Sequence, residues 1–345
     1  MAKLRIGLIG FGAWVQSAYL PALEHDGRAK VAAVTASSEK TRQRARQILG
    51  DETAVFGDYT EMLERARLDA VMIAVPDSVH QAALAAVLDA GIPVFYEPPV
   101  SHLRRQIPVV CGRLLKSEQV TFAHLELGRH PAVTRAANLV KDGAVGRLQT
   151  ATVTLNAGWG CAEDSDLSLI GRMSCWYVDV LNRIVGAVPK RVLVLDGHGS
   201  PGRMQPAATG VYDYGGTWGF FKANVASRGE LSITIEIEGD AGKIAIDYFS
   251  GTLRYQGILN AAPGEAPSPV CEDCSPWKPY ADYPAVHETV TAFLDAVVTG
   301  NASQGNVRDV AQLCLLGLAA EESKDSGTWA AVPTLESLLP DAELE

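Results

Sequence analysis

Short, mostly apolar runs alternate with helical segments over about the first 125 residues of the chain. Parallel strands buried on both faces are continuous apolar runs, and each needs a helical crossover to reach the next. The alternation therefore predicts an α/β fold that begins with a doubly wound parallel sheet. The predicted strands are LRIGLI (4–9), VAAVTA (31–36), AVF (54–56), AVMIAV (70–75), IPVFYE (92–97) and QVTFAHLEL (119–127).

The pattern changes beyond a predicted helix over 131–141, where apolar and polar residues alternate and short glycine turns separate the runs. This is typical of antiparallel strands, and it predicts an α+β domain with an open, mostly antiparallel sheet. The expected domains are 1–127 and 128–345, with the C-terminal helices packing back on the first domain. We predict strands at 147–156, 190–197, 210–217, 217–226, 229–239, 243–248 and 252–257, helices at 169–184, 284–299 and 306–323, and a loop over 258–283.

Composition restricts the partners of this chain. Of its 345 residues, 47% are hydrophobic and 20% charged, and the formal net charge is −10. The acidic balance argues against a phosphate-backbone binder, because nucleic-acid affinity comes largely from lysine and arginine. No apolar stretch reaches the roughly 18 to 20 residues that span a bilayer, and the N-terminus lacks a signal-peptide layout. We expect a cytoplasmic protein with a small-molecule substrate and no nucleic-acid or membrane partner.

Six cysteines are few for this length, and they imply no disulfide framework. Cys271 and Cys274 have the spacing of a metal clip, but no second such pair and no matching histidine pair accompanies them. We interpret the two cysteines as part of a surface loop and predict no metal site.

A glycine-rich turn follows the first predicted strand and opens a helix. Gly10 permits the tight turn, and Gly12 lets the backbone approach a pyrophosphate at the helix N-terminus. The third position of the G-x-G-x-x-G pattern is Val15, which would hold the helix slightly farther from the strand. Because further strand and helix units follow in register, we predict a dinucleotide site rather than a purely structural turn.

The end of the second predicted strand carries no acidic residue. NAD-binding chains place Asp or Glu there to accept the ribose 2′-hydroxyl, whereas this chain has Ala36, Ser37 and Ser38, followed by Lys40 and Arg42. Hydroxyls and cations favour a 2′-phosphate, so we predict NADP(H) as the preferred cofactor, with NAD(H) as the alternative. Lys40 and Arg42 could equally form a solvated helix face.

The segments GFGAWVQSAYLPAL (10–23) and AVPDSVHQAALAAVLDAGIPVFYEPP (74–99), followed by a strand-rich half, resemble the Gfo/Idh/MocA oxidoreductase family. The resemblance implies a Rossmann domain and an open-sheet domain that often forms an oligomer interface. A homodimer or homotetramer through the C-terminal sheet is therefore expected. The resemblance also implies oxidation or reduction of sugars and cyclitols with NAD(P).

Two motifs of that family are altered in this chain. The family's Glu-Lys-Pro reads Glu97-Pro98-Pro99, which removes the lysine that contacts the nicotinamide and the substrate hydroxyl. The helix motif in which His precedes Asp by three residues has Trp176 before Asp179. Proline cannot move a proton, and an indole is not an acid or base near neutral pH. Ordinary alcohol oxidation by this pair is therefore not expected.

Within the family, the biliverdin reductases have a similar motif layout. They lack the same lysine, carry a His-x-Glu-Leu strand end similar to residues 124–127 here, and have an arginine that resembles Arg172. His124 and Glu126 alternate along the predicted strand end, so they would share one face at the C-terminal edge of the sheet, where ligands bind in such folds. A structural hydrogen bond to a neighbouring helix is the alternative for both.

Arg172, Trp176, Asp179 and Arg183 are spaced to form one stripe of a single helix. A cation, a flat aromatic ring and a carboxylate in line suit a planar, anionic or conjugated substrate. The alternative is an amphipathic helix with an internal Arg–Asp pair.

These patterns predict an NADP(H)-dependent reductase that transfers hydride to a C=N or conjugated C=C bond without the family's Lys/His pair. The alternatives are a sugar or cyclitol dehydrogenase with a relocated acid–base group, and a catalytically silent cofactor-binding scaffold or sensor. The predicted catalytic residues are Arg172, Asp179, His124 and Glu126, with Trp176 and Arg172 contacting substrate. The predicted cofactor contacts are Gly10, Phe11, Gly12, Ala13, Trp14, Ser37, Ser38, Arg42, Pro76, His80, Glu97 and Pro98.

Overall fold

The fold is that of a computed structural model, which describes residues 2–160, 165–196, 205–229, 231–258, 267–275, 285–302 and 305–338. The chain divides into two compact units. The first comprises Met1–His124 and Pro279–Ala311, and the second comprises Leu125–Lys278 and Gln312–Glu345. The first break in the chain thus falls after residue 124, three residues before the expected boundary at 127.

The first unit is built on a six-stranded parallel sheet. Its strands are β1 (Leu4–Ile9), β2 (Ala29–Thr35), β3 (Ala54–Phe56), β4 (Ala70–Ile73), β5 (Val94–Tyr96) and β6 (Thr121–Ala123). Between them lie α1 (Leu20–Asp26), α2 (Glu39–Leu49), α3 (Tyr59–Arg65), α4 (Asp77–Asp89) and α5 (Ile107–Leu115). The strand order β3-β2-β1-β4-β5-β6 reverses between β1 and β4, which is where nucleotides bind in open sheets of this type. The predicted doubly wound parallel sheet is confirmed.

The second unit contains a nine-stranded sheet. Its strand order is β14-β13-β12-β11-β7-β10-β9-β8-β15. Within the described part of this sheet, only β7 and β10 pair in parallel. This confirms the predicted open, mostly antiparallel sheet. In chain order the elements are α6 (Glu126–Arg129), α7 (Pro131–Lys141), β7 (Leu148–Asn156), α8 (Leu169–Val185), β8 (Arg191–Asp196), β9 (Ala207–Asp213), β10 (Trp218–Asn224), β11 (Ser232–Gly239), β12 (Gly242–Asp247), β13 (Thr252–Gly257), β14 (Val270–Asp273), α9 (Val286–Thr299), α10 (Val307–Ser326) and β15 (Ala330–Ala331).

Helix α9 belongs to the core of the first unit. It packs against α1, and its Phe293 lies 5.2 Å from Phe95 and 6.1 Å from Phe122 between ring centroids. All three rings are buried. The first unit therefore takes an essential part of its apolar core from a segment more than 160 residues further along the chain than β6.

The first helix of the chain has an irregular start. Residues 13 and 14 are helical, Val15–Tyr19 form a π-helical turn, and α1 continues from Leu20. Pro21 explains this, because proline lacks the N–H that an α-helix donates to the residue four positions earlier and its ring clashes with that residue's carbonyl. The wider turn places Tyr19 in the interior, where it is completely buried.

Three details of the prediction are wrong. Strand β6 ends at Ala123, and Glu126 begins the short helix α6, so Glu126 and His124 do not alternate along one strand. The predicted loop over 258–283 contains β14, which pairs with β13 and carries the exposed Cys271. Strand β9 spans Ala207–Asp213 instead of 210–217, because Gly215 and Gly216 form the turn that leads into β10.

None of the helices within the described ranges has the length and apolar character needed to cross a membrane.

Candidate functional site

The glycine-rich turn after β1 has the geometry expected of a phosphate-binding loop. Gly10 has φ +98°, and a Cβ there would lie 2.1 Å from the carbonyl oxygen of Ala74, so only glycine fits. No described atom lies within 4 Å of the corresponding point at Gly12. Space is therefore open at Gly12, directly before the helix that begins at residue 13, where N–H groups and the helix dipole favour an anion. These residues fit the pyrophosphate of a nicotinamide dinucleotide.

The loop after β2 is organised by Ser38 and Arg42. The Ser38 hydroxyl caps α2 by accepting a hydrogen bond from the Thr41 N–H at 3.1 Å. Arg42 Nη1 donates to the carbonyl oxygens of Ala36 and Ser37, both at 2.8 Å. Arg42 is thus fixed at the end of β2 and is not part of a freely solvated helix face, whereas Lys40 is exposed. Ser37 and Arg42 lie together where the predicted 2′-phosphate contacts would be.

Glu97 joins the first helix to the ends of β5 and β6. Its Oε1 accepts hydrogen bonds from Trp14 Nε1 at 2.7 Å and from the Tyr19 hydroxyl, and His124 Nδ1 lies 2.9 Å away. The His124 side chain is completely buried, whereas the Glu97 side chain is 25% exposed. The carboxylate, and not the imidazole, is therefore the member of this cluster that can meet a ligand.

The surroundings of Glu97 keep it ionised. Burial raises the pKa of the carboxyl, but attraction to His124 and the three hydrogen bonds outweigh that effect and hold the pKa below its usual range. A carboxylate with three donors on one oxygen is a fixed acceptor near neutral pH and does not serve as an acid by itself.

Three further predicted cofactor residues lie in the first unit. His80 is in the first turn of α4, buried, with its ring centroid 6.2 Å from that of Tyr96. Burial lowers the pKa of His80, so the ring is neutral near pH 7. Pro98 is buried and supplies no side-chain donor, while Pro76 is exposed immediately before α4. Contact of these residues with a cofactor stays a prediction.

In the second unit, α8 presents the predicted stripe. Arg172, Trp176 and Arg183 are partly exposed, but Asp179 is only 4% exposed. Arg183 Nε donates to Asp179 Oδ2 at 2.7 Å. The internal Arg–Asp pair of the alternative interpretation is therefore present, and Arg172 and Trp176 remain on the accessible part of the helix.

The Asp179–Arg183 pair packs against the backbone of α6. A Cβ at Gly128 would lie 2.0 Å from Asp179 Oδ2 and 2.3 Å from Arg183 Nε. Glu126, in the same short helix, is buried. Asp179 thus has a structural task, which is to fix α8 against α6, and its predicted catalytic role and that of Glu126 stay predictions.

The start of α8 is fixed by a buried acid on α10. Glu321 Oε1 accepts a hydrogen bond from the Ser168 N–H at 2.6 Å, and the Ser168 hydroxyl accepts one from the Gly171 N–H at 3.2 Å. A Cβ at Gly171 would lie 1.9 Å from the same Glu321 oxygen. These contacts set the position of Arg172, the next residue on the helix.

Sequence reasoning missed Tyr19, Gly128 and Glu321. The signal for Tyr19 was Pro21 two residues later, which marks an irregular helix that can turn an aromatic ring inward. No local signal indicated Gly128 or Glu321, because their partners are distant in sequence. Among the described residues, no group of three or more His, Cys, Asp or Glu side chains could hold a metal ion.

Comparison with known proteins agrees with this geometry. Residues 4–122 match the profile of the Gfo/Idh/MocA group, described as an oxidoreductase family with an NAD-binding Rossmann fold. Levoglucosan dehydrogenase of Pseudarthrobacter phenanthrenivorans is 22% identical, and the match covers 98% of this chain and 100% of that protein. Inositol 2-dehydrogenase of Acidiphilium cryptum is 30% identical over a match that covers 42% of this chain and 43% of that protein.

Solved structures share the fold over nearly the whole chain. An oxidoreductase domain protein from Kribbella flavida has a TM-score of 0.82 at 20% identity, covering 96% of this chain and 100% of that one. Levoglucosan dehydrogenase in complex with NADH and L-sorbose has a TM-score of 0.81 at 20% identity, covering 97% and 100%. The profile match spans the glycine-rich turn, strands β1 to β5 and the start of β6, so this part of the chain is similar to the NAD-binding Rossmann domain of the Gfo/Idh/MocA oxidoreductase family, and the solved structures share the fold.

Proposed function

We propose that this oxidoreductase is an NADP(H)-dependent reductase of an electron-poor carbon in a C=N or conjugated C=C bond. The observation that carries the proposal is Pro98, which is buried beside Glu97 where the family motif has lysine. Oxidation of an alcohol requires a base that takes the hydroxyl proton while hydride leaves. Neither Pro98 nor Trp176 can be that base.

The chain's own residues support cofactor binding at the sheet edge. Gly10 and Gly12 would hold the pyrophosphate at the helix N-terminus, and Ser37 and Arg42 would meet the 2′-phosphate. A bound nicotinamide supplies the hydride. Glu97, which follows β5, holds the start of the first helix through Trp14 and the end of β6 through His124.

Reduction of such a carbon needs one proton after hydride transfer. His124 holds Nδ1 2.9 Å from the partly exposed Glu97 carboxylate, so a proton shared between them is one source. The other proton source is a water molecule oriented by Arg172. The guanidinium of Arg172 stays charged, so it attracts the substrate electrostatically and does not act as an acid. Trp176, one turn further along α8, offers a flat surface to a planar substrate, and Asp179 acts as a positioning residue.

A second candidate function is supported by the relatives. Levoglucosan dehydrogenase and inositol 2-dehydrogenase are named for a sugar derivative and a cyclitol. Under this alternative the chain oxidises a polyol with a base other than a residue at position 98. Glu97, which directly precedes Pro98, and its partner His124 are the candidate pair.

We further propose that the exposed face of the nine-stranded sheet pairs with a second copy of the chain. Glu238 on β11 is paired with Lys243 on β12, and Glu236 lies two strands from Arg254 on β13, with Ala245 of β12 between them. The four charged side chains are exposed. Opposite charges on neighbouring strands can meet their counterparts across a two-fold axis. Sedimentation of the protein should give a dimer or tetramer, and Glu236→Lys with Glu238→Lys should give monomers.

Initial rates of the purified chain separate the candidates. The test measures NADPH and NADH consumption with cyclic imines and enones, and NADP⁺ and NAD⁺ reduction with inositol and levoglucosan. NADPH consumption with the first panel is the expected result. Activity on the polyols alone would establish the second candidate, and tight NADPH binding without turnover on either panel would indicate a silent cofactor-binding protein.

A further inference from the structure

Glu39 forms an ion pair with Arg42 through the Nε and Nη2 atoms of the guanidinium group. It is the first residue of α2, directly after the cap at Ser38. Arg42 Nε donates to Glu39 Oε2 at 3.0 Å, and Arg42 Nη2 lies 2.9 Å from the same oxygen. Arg46 Nη1 lies 3.3 Å from Glu39 Oε1. One carboxylate is therefore shared by two guanidinium groups on consecutive turns of the helix.

Arg42 cannot move away from this position without losing other contacts. Its Nη1 donates to the carbonyl oxygens of Ala36 and Ser37, and it approaches the Cβ position of Gly57 at 3.5 Å. Its side chain is only 21% exposed, whereas that of Glu39 is 56% exposed. The fixed partner is the arginine, and the displaceable one is the glutamate.

The carboxyl of Glu39 is ionised near neutral pH. The hydrogen bond from Arg42 lowers the pKa of its carboxyl, against a smaller opposing effect of desolvation. The pair Glu39–Arg42 is thus close to neutral, and the positive charge available to an incoming anion comes from Arg46 and the exposed Lys40. A 2′-phosphate would have to replace the carboxylate on Arg42.

We propose that Glu39 is a specificity-determining residue that competes with the 2′-phosphate of NADP(H) for Arg42. This inference rests on the proposed function, in which the adenosine ribose lies at the end of β2. A phosphate monoester carries more negative charge and more acceptor oxygens than a carboxylate, so it displaces Glu39. Arg46 retains the displaced carboxylate, since it already contacts the other oxygen. NAD(H) has no phosphate there and leaves the Glu39–Arg42 pair in place.

Removing the charge of Glu39 should therefore strengthen NADP(H) binding selectively. In Glu39→Gln, the dissociation constant for NADPH should fall about tenfold, because Arg42 no longer has to exchange one anion for another. The dissociation constant for NADH should change less than about threefold. In the Arg42→Gln background, Glu39→Gln should lose its effect on NADPH, because the group for which the two anions compete is gone.

The experiment is a calorimetric or fluorescence titration of the full chain with NADPH, NADH, 2′,5′-ADP and 5′-ADP. The two ADP isomers isolate the 2′-phosphate from the nicotinamide half. Glu61→Gln is the matched control, because Glu61 forms an exposed i,i+4 pair with Arg65 on α3 of the same unit. The control should leave all four dissociation constants unchanged, and melting curves of each variant establish that it is folded.

Two outcomes overturn the inference. NADPH affinity in Glu39→Gln that matches the Glu61→Gln control shows that Glu39 does not compete with the phosphate. NADH affinity that falls about tenfold shows instead that Glu39 accepts the ribose 2′-hydroxyl. The cofactor choice in the proposed function is tested separately, because it fails if the wild-type chain binds NADH as tightly as NADPH, whatever Glu39→Gln does to the NADPH constant.

Discussion

Gly128→Ala should destabilise the protein, which is the opposite of the usual effect of this change in a helix. Alanine in place of glycine in a helix normally stabilises by about 0.5–1 kcal/mol, because it restricts the unfolded chain. At Gly128 the new Cβ would lie 2.0 Å from Asp179 Oδ2 and 2.3 Å from Arg183 Nε, distances that no real contact shows. The ion pair must therefore separate, or α6 must move away from α8.

The size of the effect follows from the burial of the pair. Breaking a buried ion pair costs about 3–5 kcal/mol when one charge is left without its partner. Arg183 is 33% exposed and can turn to water, so the cost is at the lower end, and the usual gain from alanine offsets part of it. We expect a net loss of about 1–3 kcal/mol in the free energy of unfolding.

A double-mutant cycle identifies the cause. Gly128→Ala should cost less than about 1 kcal/mol in the Asp179→Ala background, because the Asp179 oxygen is absent there and Arg183, no longer held by it, can turn to water. Urea denaturation followed by circular dichroism measures all four proteins. A stabilising Gly128→Ala, or costs that simply add, would refute the contact between the α6 backbone and the ion pair.

Three other changes test the two units. Gly10→Ala should abolish NADPH binding in a fluorescence titration, because it forces a side chain into a left-handed φ of +98° and against the Ala74 carbonyl; near-normal affinity would contradict the turn geometry. Because the pKa of Glu97 is lowered in the folded protein, its charged form stabilises the fold above the unfolded pKa of about 4.3, and this contribution is lost as pH falls through the folded pKa. In melting curves recorded at decreasing pH, Glu97→Gln should therefore lose less stability on acidification than the wild-type protein does. Arg172→Ala should lower kcat/KM about a hundredfold while the NADPH dissociation constant stays nearly unchanged; steady-state kinetics with normal turnover would remove this face of α8 from the active site.

Local patterns were sufficient to predict most elements. Strand β1 and helix α7 begin and end where the sequence predicts, because a buried parallel strand and an amphipathic helix are set by the spacing of their own apolar residues. The open sheet was recognisable for the same reason, since its strands alternate between a buried and an exposed face. The edge strand β14 was missed, because it is mostly exposed and has no buried row to reveal it.

The candidate site depends on pairs that local patterns do not contain. Trp14 and Tyr19 are 83 and 78 residues from Glu97, and only the folded sheet brings them to one carboxylate oxygen. Glu321 is 153 residues from Ser168, whose N–H donates a hydrogen bond to it. Glycine-rich turns are different, because the positive φ at Gly10 is a property of the turn itself. The cofactor loop was therefore predictable, while the hydrogen-bonded cluster beside it was not.

With Pro98 at the lysine position, we expect hydride to be transferred from the nicotinamide to an electron-poor carbon of the substrate. The measurement uses NADPH that carries deuterium in place of both hydrogens at nicotinamide C4, with cyclic imines and enones as acceptors and mass spectrometry of the products. A reduced product should gain one deuterium at the former C=N or C=C carbon, and Pro98→Lys should not raise the rate. Products without deuterium, together with NADP⁺ reduction by inositol or levoglucosan, would show that the chain is a polyol dehydrogenase instead.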